Sequence, residues 1–539
     1  MLVTRRVPLL LLAVTVACAP RVDTGATPPS PSAGAGAGSA IDAAALREDL
    51  TQFASDAFRG REAGTPAEMT SARFIAGRLQ ALGLRPAGDS GYFHRVPMAT
   101  ERVTEASTFT VTRGGRTDSL RVGDALVPLI SLGEGVFARQ KAEGDVVFAG
   151  YGVPDPATGR DDLASLNLRG KIVVVIMGAP AGADEATRRQ LEGTEGLSLR
   201  LQRLIPMGPA GVVMLFGGAQ GVGLFEQFAP GLMRTMTLAT RAGQRMPPDE
   251  QRPVPMILLG RLDRAAALLP SQYPQDMRPQ ALPARFRGQA VTERTSVTGY
   301  NVVATLPGTD ARLARTYVAL GAHHDHAGMQ PPVDGDSVAN GADDDGSGSM
   351  GLLAVARSMA AGARPRRSVL FVWHTAEEKG LLGSSHFAEN PTVPIDSVVA
   401  MINADMIGRN GGPTEDFASR GIAPSPDRLY IVGPGAAPNG QSRVLGGIVD
   451  SVNARQPRPF TMDREWDTPD HPERIYFRSD HYSYAQRGVP VIFFTTGLHE
   501  DYHKVSDEVE KIDFEKLGRV AALIRDVTMA VGNRATRPH

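Results

Sequence analysis

Four continuous apolar runs mark the C-terminal half of the chain, and each is bounded by polar or small residues. They are Thr316–Gly321, Ser368–Trp373, Val398–Ile402 and Val489–Phe494. Runs of this length without alternation are typical of strands that are buried on both faces of a parallel sheet. Helical patterns separate them, over Gly348–Ala361, Gln441–Val452 and Phe514–Met529. The sequence therefore predicts an α/β fold, in which a mainly parallel sheet is flanked by helices.

The segment Ile41–Leu84 has a different pattern, because its apolar residues recur three and four positions apart. This spacing predicts a largely helical piece, and Gly83 suits the end of a helix. The middle of the chain, from about residue 127 to 288, contains shorter strand-like pieces: Gly144–Gly150, Lys171–Met177, Gly211–Phe216 and Val254–Leu259. We expect it to form a separate β-rich domain. Two stretches within it, Pro180–Met207 and Gly217–Pro253, look like long insertions.

Side chains of the types that can bind metals follow the ends of the predicted strands. His323 follows the first strand, Glu377 and Glu378 the second, Asp405 the third and His503 the fourth. In open parallel sheets, sites form beyond the carboxyl ends of the strands, so these side chains are expected to meet. One further carboxylate, Asp344 in GADDDGSG, precedes a predicted helix.

Two imidazoles and three carboxylates suit two divalent ions when one carboxylate bridges them. Glu377 is left over at the position of a general base, and the set indicates a two-metal hydrolase. Of Asp343, Asp344 and Asp345, two are expected to support ligands or cap the following helix. The other internal histidines that follow His323 are expected to pack or to support ligands: His324, His326, His374, His386, His471 and His499.

These motifs resemble the M28 family of zinc peptidases, from about Val297 to the C-terminus. The resemblance implies two Zn²⁺ ions, with Asp344 as the bridge, His323 and Asp405 at one ion, and Glu378 and His503 at the other. It also implies that Glu377 is the general base, that Asp325 orients His323, and that Tyr502 hydrogen-bonds the developing oxyanion. Asp480 and His481 lie where the family places a segment of the substrate cleft.

The resemblance implies an exopeptidase that acts on peptides, and the leading interpretation is an aminopeptidase. A carboxypeptidase or dipeptidase of the same superfamily stays open, because the chain has many arginines that could bind a C-terminal carboxylate. A glutaminyl cyclase-like enzyme, which usually works with one zinc, and a receptor-like protein without ligands are further alternatives. The complete set of five ligands argues against both of them.

The middle segment resembles a protease-associated domain, carried by VFAGYGVPDPATGRDDLASLNLRGKIVVVIMG and PVPMILLGRLDRAAALL. The piece SDAFRGREAGTP, with the helix after it, is also typical of the M28 family. We therefore predict a discontinuous peptidase domain over 41–126 and 289–539, interrupted by a protease-associated insert over 127–288.

The first forty residues carry an export pattern. Arg5 and Arg6 precede an apolar stretch that is too short to span a bilayer, and Cys18 at its end is the chain's single cysteine. The residues around Cys18 resemble a bacterial lipobox with threonine at one usual leucine position, while cleavage after Ala19 is the alternative. Residues 1–19 are thus predicted to be a signal of lipoprotein type and 20–40 a flexible linker.

This pattern predicts that the protein is exported from the cytoplasm. It would then be periplasmic or anchored to the outer membrane as a lipoprotein, or else secreted. Membrane contact is expected only through the lipid. With a net charge of −1, 42% hydrophobic residues and no basic block, nothing in the composition points to nucleic acid as a partner.

Overall fold

The computed structural model describes residues 40–131, 138–154, 159, 161, 163, 166–180, 182–239, 254–411, 423–471 and 473–538. The predicted signal segment, Cys18 and the linker up to residue 39 lie outside these ranges. The described residues form two compact units. One is Met98–Val297, and the other combines 40–97 with 298–538. Across the described ranges, no helix combines the length and the hydropathy needed to cross a bilayer.

The second unit begins with two helices, α1 (Ala43–Phe53) and α2 (Pro66–Ala81), joined through a short 3₁₀ segment, Asp56–Arg61. The side chain of Asp42 caps α1 by accepting the N–H of Ala45 at 3.0 Å, and a proline opens α2. Both helices bury apolar side chains in the core of this unit. The prediction of a largely helical segment is confirmed.

The described strands from residue 85 to residue 289 are β1 (Arg85–Pro86), β2 (Phe93–Val103), β3 (Thr108–Arg113), β4 (Arg116–Ser119), β5 (Leu126–Leu129), β6 (Lys141–Phe148), β7 (Ile172–Met177), β8 (Gly211–Phe216), β9 (Arg234–Leu238), β10 (Met256–Arg261) and β11 (Gln280–Gln289). The unit Met98–Val297 is built on a mixed sheet whose described strands run in the order β4-β3-β11-β6-β7-β8-β10-β5. The pairs β6·β7, β7·β8 and β8·β10 are parallel.

This unit is less purely β than the sequence predicts. The two stretches that resembled insertions contain α3 (Glu185–Glu192), α4 (Thr194–Leu204) and α5 (Gly218–Leu232). Alternate residues of β7 pack into two different apolar clusters, so both faces of the sheet are covered. The unit also extends beyond the predicted insert at both ends, since β3 and β4 belong to its sheet. Its assignment as a protease-associated domain stays a prediction.

The remaining described strands are β12 (Thr292–Leu306), β13 (Tyr317–His323), β14 (Gly328–Val333), β15 (Asp336–Ala339), β16 (Ser368–His374), β17 (Val398–Ala404), β18 (Arg428–Val432), β19 (Thr461–Asp463) and β20 (Val491–Thr495). The main sheet of the second unit contains β19-β18-β20-β17-β13-β16-β12, in that order, with β1 paired to β12, while β14 and β15 form a separate two-stranded sheet. The later helices of this unit are α6 (Gly348–Ala361), α7 (Leu382–Glu389), α8 (Arg443–Asn453), α9 (His481–Ala485) and α10 (Phe514–Gly532).

The four apolar runs are the centre of this sheet. The pairs β13·β16, β13·β17 and β17·β20 are all parallel, as predicted, while β12 and β18 join antiparallel. Along β16, Val369, Phe371 and Trp373 pack on one face, and Leu370 and Val372 on the other. The sheet is therefore buried on both sides, and its parallel strands end at one common edge.

Candidate metal centre

The common edge of the parallel strands collects the predicted ligands. His323 is the last residue of β13, Asp405 directly follows β17, and Glu377 and Glu378 lie just beyond β16. His503 lies in the loop after β20. In the parallel register His323 pairs with His374 and Gly321 with Asn403, so the three strand ends are level.

One group of ligand atoms lies around His323. Its Nε2 is 3.2 Å from Asp344 Oδ1 and 3.6 Å from Asp405 Oδ1, and all three residues are buried. Their ligand atoms lie within 4.8 Å of one another. An imidazole and two carboxylates at this spacing can hold a divalent ion.

A second group lies around the other oxygen of Asp344. His503 Nε2 is 3.2 Å from Asp344 Oδ2 and 3.0 Å from Glu378 Oε2. His326, Asp344 and Glu378 also place ligand atoms within 4.8 Å of one another. Asp344 thus turns one carboxylate oxygen toward each group, which is the geometry of a bridging ligand.

Three consecutive aspartates have three different partners here. Asp345 Oδ2 accepts the N–H of His323 at 3.0 Å, and its Oδ1 accepts that of Gly348 at 2.9 Å, at the start of α6. Asp343 Oδ1 accepts the N–H of Gly408 at 2.7 Å. Only the side chain of Asp344, among the three, is directed at both groups of ligand atoms.

Glu377 stands beside the ligands without a direct hydrogen bond to the imidazoles. Its Oε2 is 3.9 Å from His323 Nε2, and its main-chain N–H donates to Asp325 Oδ1 at 3.1 Å. Burial, together with the nearby carboxylates of Asp405 and Glu378, raises the pKa of Glu377 well above its usual range. A bound dication would lower that pKa and favour the carboxylate form that a general base needs.

Asp325 supports the centre through two of its atoms. His323 Nδ1 lies 3.1 Å from the main-chain oxygen of Asp325 and 3.7 Å from its carboxylate Oδ1. His323 Nδ1 thus faces both the carbonyl and, at a longer distance, the carboxylate of Asp325, and the role of Asp325 in orienting His323 stays a prediction. The carboxylate also positions the main chain at Glu377.

Ser479 is a supporting residue that sequence analysis missed. Its hydroxyl donates to Asp405 Oδ2 at 2.6 Å, which leaves Oδ1 directed at His323. The neighbouring Asp480 had been singled out in the same RSDH motif, but a serine carries no distinctive signal of its own. A hydrogen bond to the free oxygen of a carboxylate ligand fixes its orientation.

The 3₁₀ segment Asp56–Arg61 also reaches this centre. The guanidinium of Arg61 is fully buried and donates to the main-chain oxygens of His324 at 3.1 Å, Asn340 at 2.6 Å and Gly341 at 3.0 Å. Burial lowers the pKa of Arg61 to about 10, so it remains cationic at neutral pH. It ties the loop after His323 to the loop before Asp344.

Tyr502 packs against His503, with ring centroids 3.8 Å apart and planes at 26°. Its hydroxyl oxygen accepts a hydrogen bond from Arg478 Nη2 at 3.4 Å. Burial raises the pKa of Tyr502 well above its usual range, although Arg478 opposes this, so the phenol remains a proton donor.

Asp480 and His481, the predicted residues of the substrate cleft, are both fully buried. The His481 ring stacks on Phe493, with centroids 4.8 Å apart, and is therefore a packing residue. Burial raises the pKa of Asp480 to about 8. Both side chains lie below the surface of the protein, and their role beside a substrate stays a prediction.

The chemistry of the donor set fits bound dications. Several carboxylates are wholly or mostly buried around the ligand groups: Asp325, Asp344, Asp345, Glu377, Glu378, Asp405 and Asp480. Burying so many acidic groups together costs free energy unless positive charge accompanies them. Imidazole nitrogen with carboxylate oxygen is the donor combination that zinc commonly takes.

Residues 301–528 match peptidase family M28. Among curated proteins, the probable leucine aminopeptidase 1 of Trichophyton verrucosum (strain HKI 0517) is 28% identical over 253 residues, and leucine aminopeptidase 1 of Trichophyton rubrum is 27% identical over 252 residues. The matches cover 45% and 44% of this chain, and the chain spans 60% of the length of each relative.

Two solved structures have the same fold over nearly the whole chain. An aminopeptidase from Aneurinibacillus sp. strain AM-1 superposes with a TM-score of 0.53 and 18% identity, covering 92% of this chain and 95% of the other. The zinc aminopeptidase BSAP from Bacillus subtilis gives a TM-score of 0.50 and 17% identity, covering 92% and 97%. At these identities the likeness concerns the fold.

Proposed function

We propose that this chain, whose segment 301–528 is a peptidase family M28 domain, is a zinc-dependent aminopeptidase that works with two metal ions. The observation that carries the proposal is the placement of Asp344. Its two carboxylate oxygens face two separate groups, with His323 and Asp405 on one side and His503 and Glu378 on the other. Such an arrangement suits two divalent ions that share a bridging carboxylate.

His323, Asp344 and Asp405 would hold one ion, and Asp344, Glu378 and His503 the other. Ions bound there supply Lewis acidity, which polarises a peptide carbonyl and acidifies the water that attacks it. Zinc is supported by the donor set and by the zinc aminopeptidase among the structural neighbours.

Glu377 acts as the general base in this proposal. Its carboxylate accepts a proton from the attacking water and passes it to the amine that leaves. The hydrogen bond from its main-chain N–H to Asp325 keeps it at this position. Tyr502 donates a hydrogen bond from its phenol to the developing oxyanion, and Arg478 Nη2 holds the phenolic oxygen in place.

The proposed substrates are peptides with a free N-terminus. The curated relatives carry the name leucine aminopeptidase, which supports removal of N-terminal residues. The acidic surroundings of Glu377 and Asp405 also suit a substrate ammonium group.

One observation favours a carboxypeptidase or dipeptidase as the second candidate. Arg478 lies near Glu377 and Tyr502, and its side chain is 20% exposed. A guanidinium at this place could bind a C-terminal carboxylate. Its ion pair with Glu473 Oε2 at 3.1 Å competes with that role.

The proposed location is outside the cytoplasm, with Cys18 as the lipid-modified residue. The apolar stretch after Arg5 and Arg6 supports this. Mass spectrometry of the mature protein tests it, because an unlipidated N-terminus at Pro20 would contradict the anchor.

A panel of aminoacyl-anilides tests the proposed activity. We expect the purified chain to release anilide, to lose that activity with chelator and to regain it with two equivalents of zinc. No release by the zinc-loaded protein on any N-terminal substrate, combined with hydrolysis of peptides with blocked N-termini, would transfer the assignment to the carboxypeptidase. Activity that chelator leaves untouched would contradict both.

A further inference from the structure

His326, which the sequence predicts to pack or to support a ligand, lies beside the second group of ligand atoms. Its Nδ1 is 2.7 Å from Glu378 Oε1 and 3.9 Å from Asp344 Oδ2, and the ring is fully buried. Glu378 is therefore contacted on both oxygens, by His326 at Oε1 and by His503 at Oε2.

The distances distinguish a metal ligand from a hydrogen-bond donor. Two ligand atoms on one tetrahedral zinc lie about 3.3 Å apart, given bonds of about 2.0–2.1 Å. His503 Nε2 meets this spacing, at 3.2 Å from Asp344 Oδ2 and 3.0 Å from Glu378 Oε2. The 2.7 Å between His326 Nδ1 and Glu378 Oε1 is shorter, and it is the length of a charge-assisted hydrogen bond.

The His326 ring is held rigidly in this place. A Cβ at Gly341 would lie 2.4 Å from His326 Cδ2, so the ring packs directly against glycine backbone. The main-chain N–H of His326 donates to the oxygen of Arg61 at 3.3 Å, and Arg61 Nη2 donates to the oxygen of Gly341 at 3.0 Å. Arg61 thus holds the ring and the glycine on which it rests.

We propose that His326 is a positioning residue that makes Glu378 a one-oxygen ligand of the second ion. The Nδ1–H of His326 occupies Oε1, and Oε2 alone remains for the metal. The coordination position that a two-oxygen carboxylate would fill stays open for water or substrate. This inference rests on the proposed two-metal centre and deepens it.

Cobalt titration of the full chain, in place of zinc, tests the role of His326. Competition with a chelator gives the affinity of each of two equivalents, and the visible absorption of the second equivalent falls when its coordination number rises. In His326→Leu we expect the second ion to bind about 10–100-fold more weakly and to absorb less strongly, while the first ion is unchanged. His326→Asn, whose amide nitrogen can replace Nδ1 as a donor, should bind both ions within about threefold of the parent protein.

The matched control is His324→Leu, which removes the neighbouring buried imidazole. His324 hydrogen-bonds Ser71 Oγ and the main-chain oxygen of Tyr300, both at 2.8 Å. The variant His324→Leu should leave the difference in affinity between the two ions unchanged. Equal loss of the second ion in His326→Leu and His326→Asn would overturn the proposal, since the imidazole itself would then be a ligand. Unchanged binding in both would overturn it as well.

His326→Asn tests the proposed role of His326 even if His326→Leu does not fold. A weakened second ion in folded His326→Asn contradicts the role as donor, and retention with the parent spectrum supports it. A parent protein that binds only one equivalent would contradict the two-metal centre itself, which is a separate outcome.

Discussion

At the scale of single residues, the centre depends on which carboxylates are already engaged by main-chain N–H groups. Asp345 accepts three such groups, from His323 at the end of β13, Gly348 at the start of α6 and Met406 after β17, and Asp343 accepts that of Gly408. Asp344 between them keeps both oxygens for the ligand groups. The three residues are chemically identical, so their different roles arise entirely from local backbone geometry.

Glu377→Gln should keep the bound zinc and lose turnover by about a thousandfold, because the amide cannot accept the proton of the attacking water. Turnover of the best anilide substrate and metal content by mass spectrometry check this. Glu389→Gln, in an exposed position at the end of α7, is the control. Near-parent turnover with full zinc content would remove Glu377 from the mechanism.

Ser479→Ala should weaken the ion held by His323 and Asp405 by about tenfold, because Asp405 Oδ2 loses its donor and the carboxylate can rotate. Chelator competition measures the two affinities separately. The effect should fall on the opposite ion to that of His326→Leu, and an identical pattern in the two variants would contradict the assignment of ligands to sites.

At the scale of elements, the segment from Asp56 to α2 fastens the loops of the centre. Arg61 binds the main chain on both sides of the β14–β15 hairpin, and Glu68 in α2 accepts hydrogen bonds from Tyr300 N at 2.7 Å and Thr375 Oγ1 at 2.8 Å. Thr375 lies just before the pair Glu377 and Glu378. An element that contributes no ligand therefore fixes three of the loops that do.

Arg61→Met should lower the free energy of unfolding by about 3 kcal/mol or more, because buried carbonyls lose their donors. Both zinc affinities should fall as well, since the loops after His323 and before Asp344 lose their common tie. Urea unfolding and chelator competition measure the two effects. Arg59→Met, at an exposed position in the same segment, should change neither. Parent-like metal binding in a folded Arg61→Met would show that the tie is dispensable.

Glu68 predicts a pH dependence of stability. Burial raises its pKa from 4.5 to about 7, even though it accepts three hydrogen bonds. Between these two values the folded chain holds a proton that the unfolded chain releases, so this contribution to stability is lost as pH rises from about 4.5 to 7. It amounts to about 3 kcal/mol. The urea midpoint of the parent, minus that of Glu68→Gln, should therefore fall as pH rises through that window. A difference that stays constant would contradict the prediction.

The strands and helices of the second unit were largely predictable, because each is a long apolar run or a clear helical repeat. All four predicted strands around the centre are present within a few residues. The supporting contacts were not predictable from the pattern. Arg61 is an arginine in a polar turn, and Ser479 and His326 are ordinary residues until loops bring them within hydrogen-bond distance of a carboxylate.

The same reasoning explains two further features that local patterns did not predict. Asp480 and His481 carry the residue types of a substrate site, but their burial depends on the packing of Phe493 and the start of α9, which no local pattern encodes. The short strands β3 and β4 belong to the sheet of the other unit, yet they contain no continuous apolar run. The local pattern therefore does not show that they belong to that sheet.

At the scale of the whole molecule, the two units have separate apolar cores, and we expect them to unfold in separate steps. Both tryptophans, Trp373 and Trp466, lie in the unit that carries the centre. Calorimetry should show two transitions, of which tryptophan fluorescence follows one. Removing zinc should lower that transition alone, by the equivalent of about 4 kcal/mol for each of the two proposed ions when free zinc was a thousand times its Kd. A chelator effect on the transition that fluorescence does not follow would contradict the assignment.

The reach of the centre along the chain has a consequence for biosynthesis. Arg61 and His503 lie far apart in the sequence, and the loops that they contact become adjacent only in the finished fold. A ribosome must have made the residues up to His503 before the second ion has all its proposed ligands. The growing polypeptide therefore passes the synthesis of all these residues without the proposed metal centre, and the proposed peptidase activity cannot begin before His503 has been made.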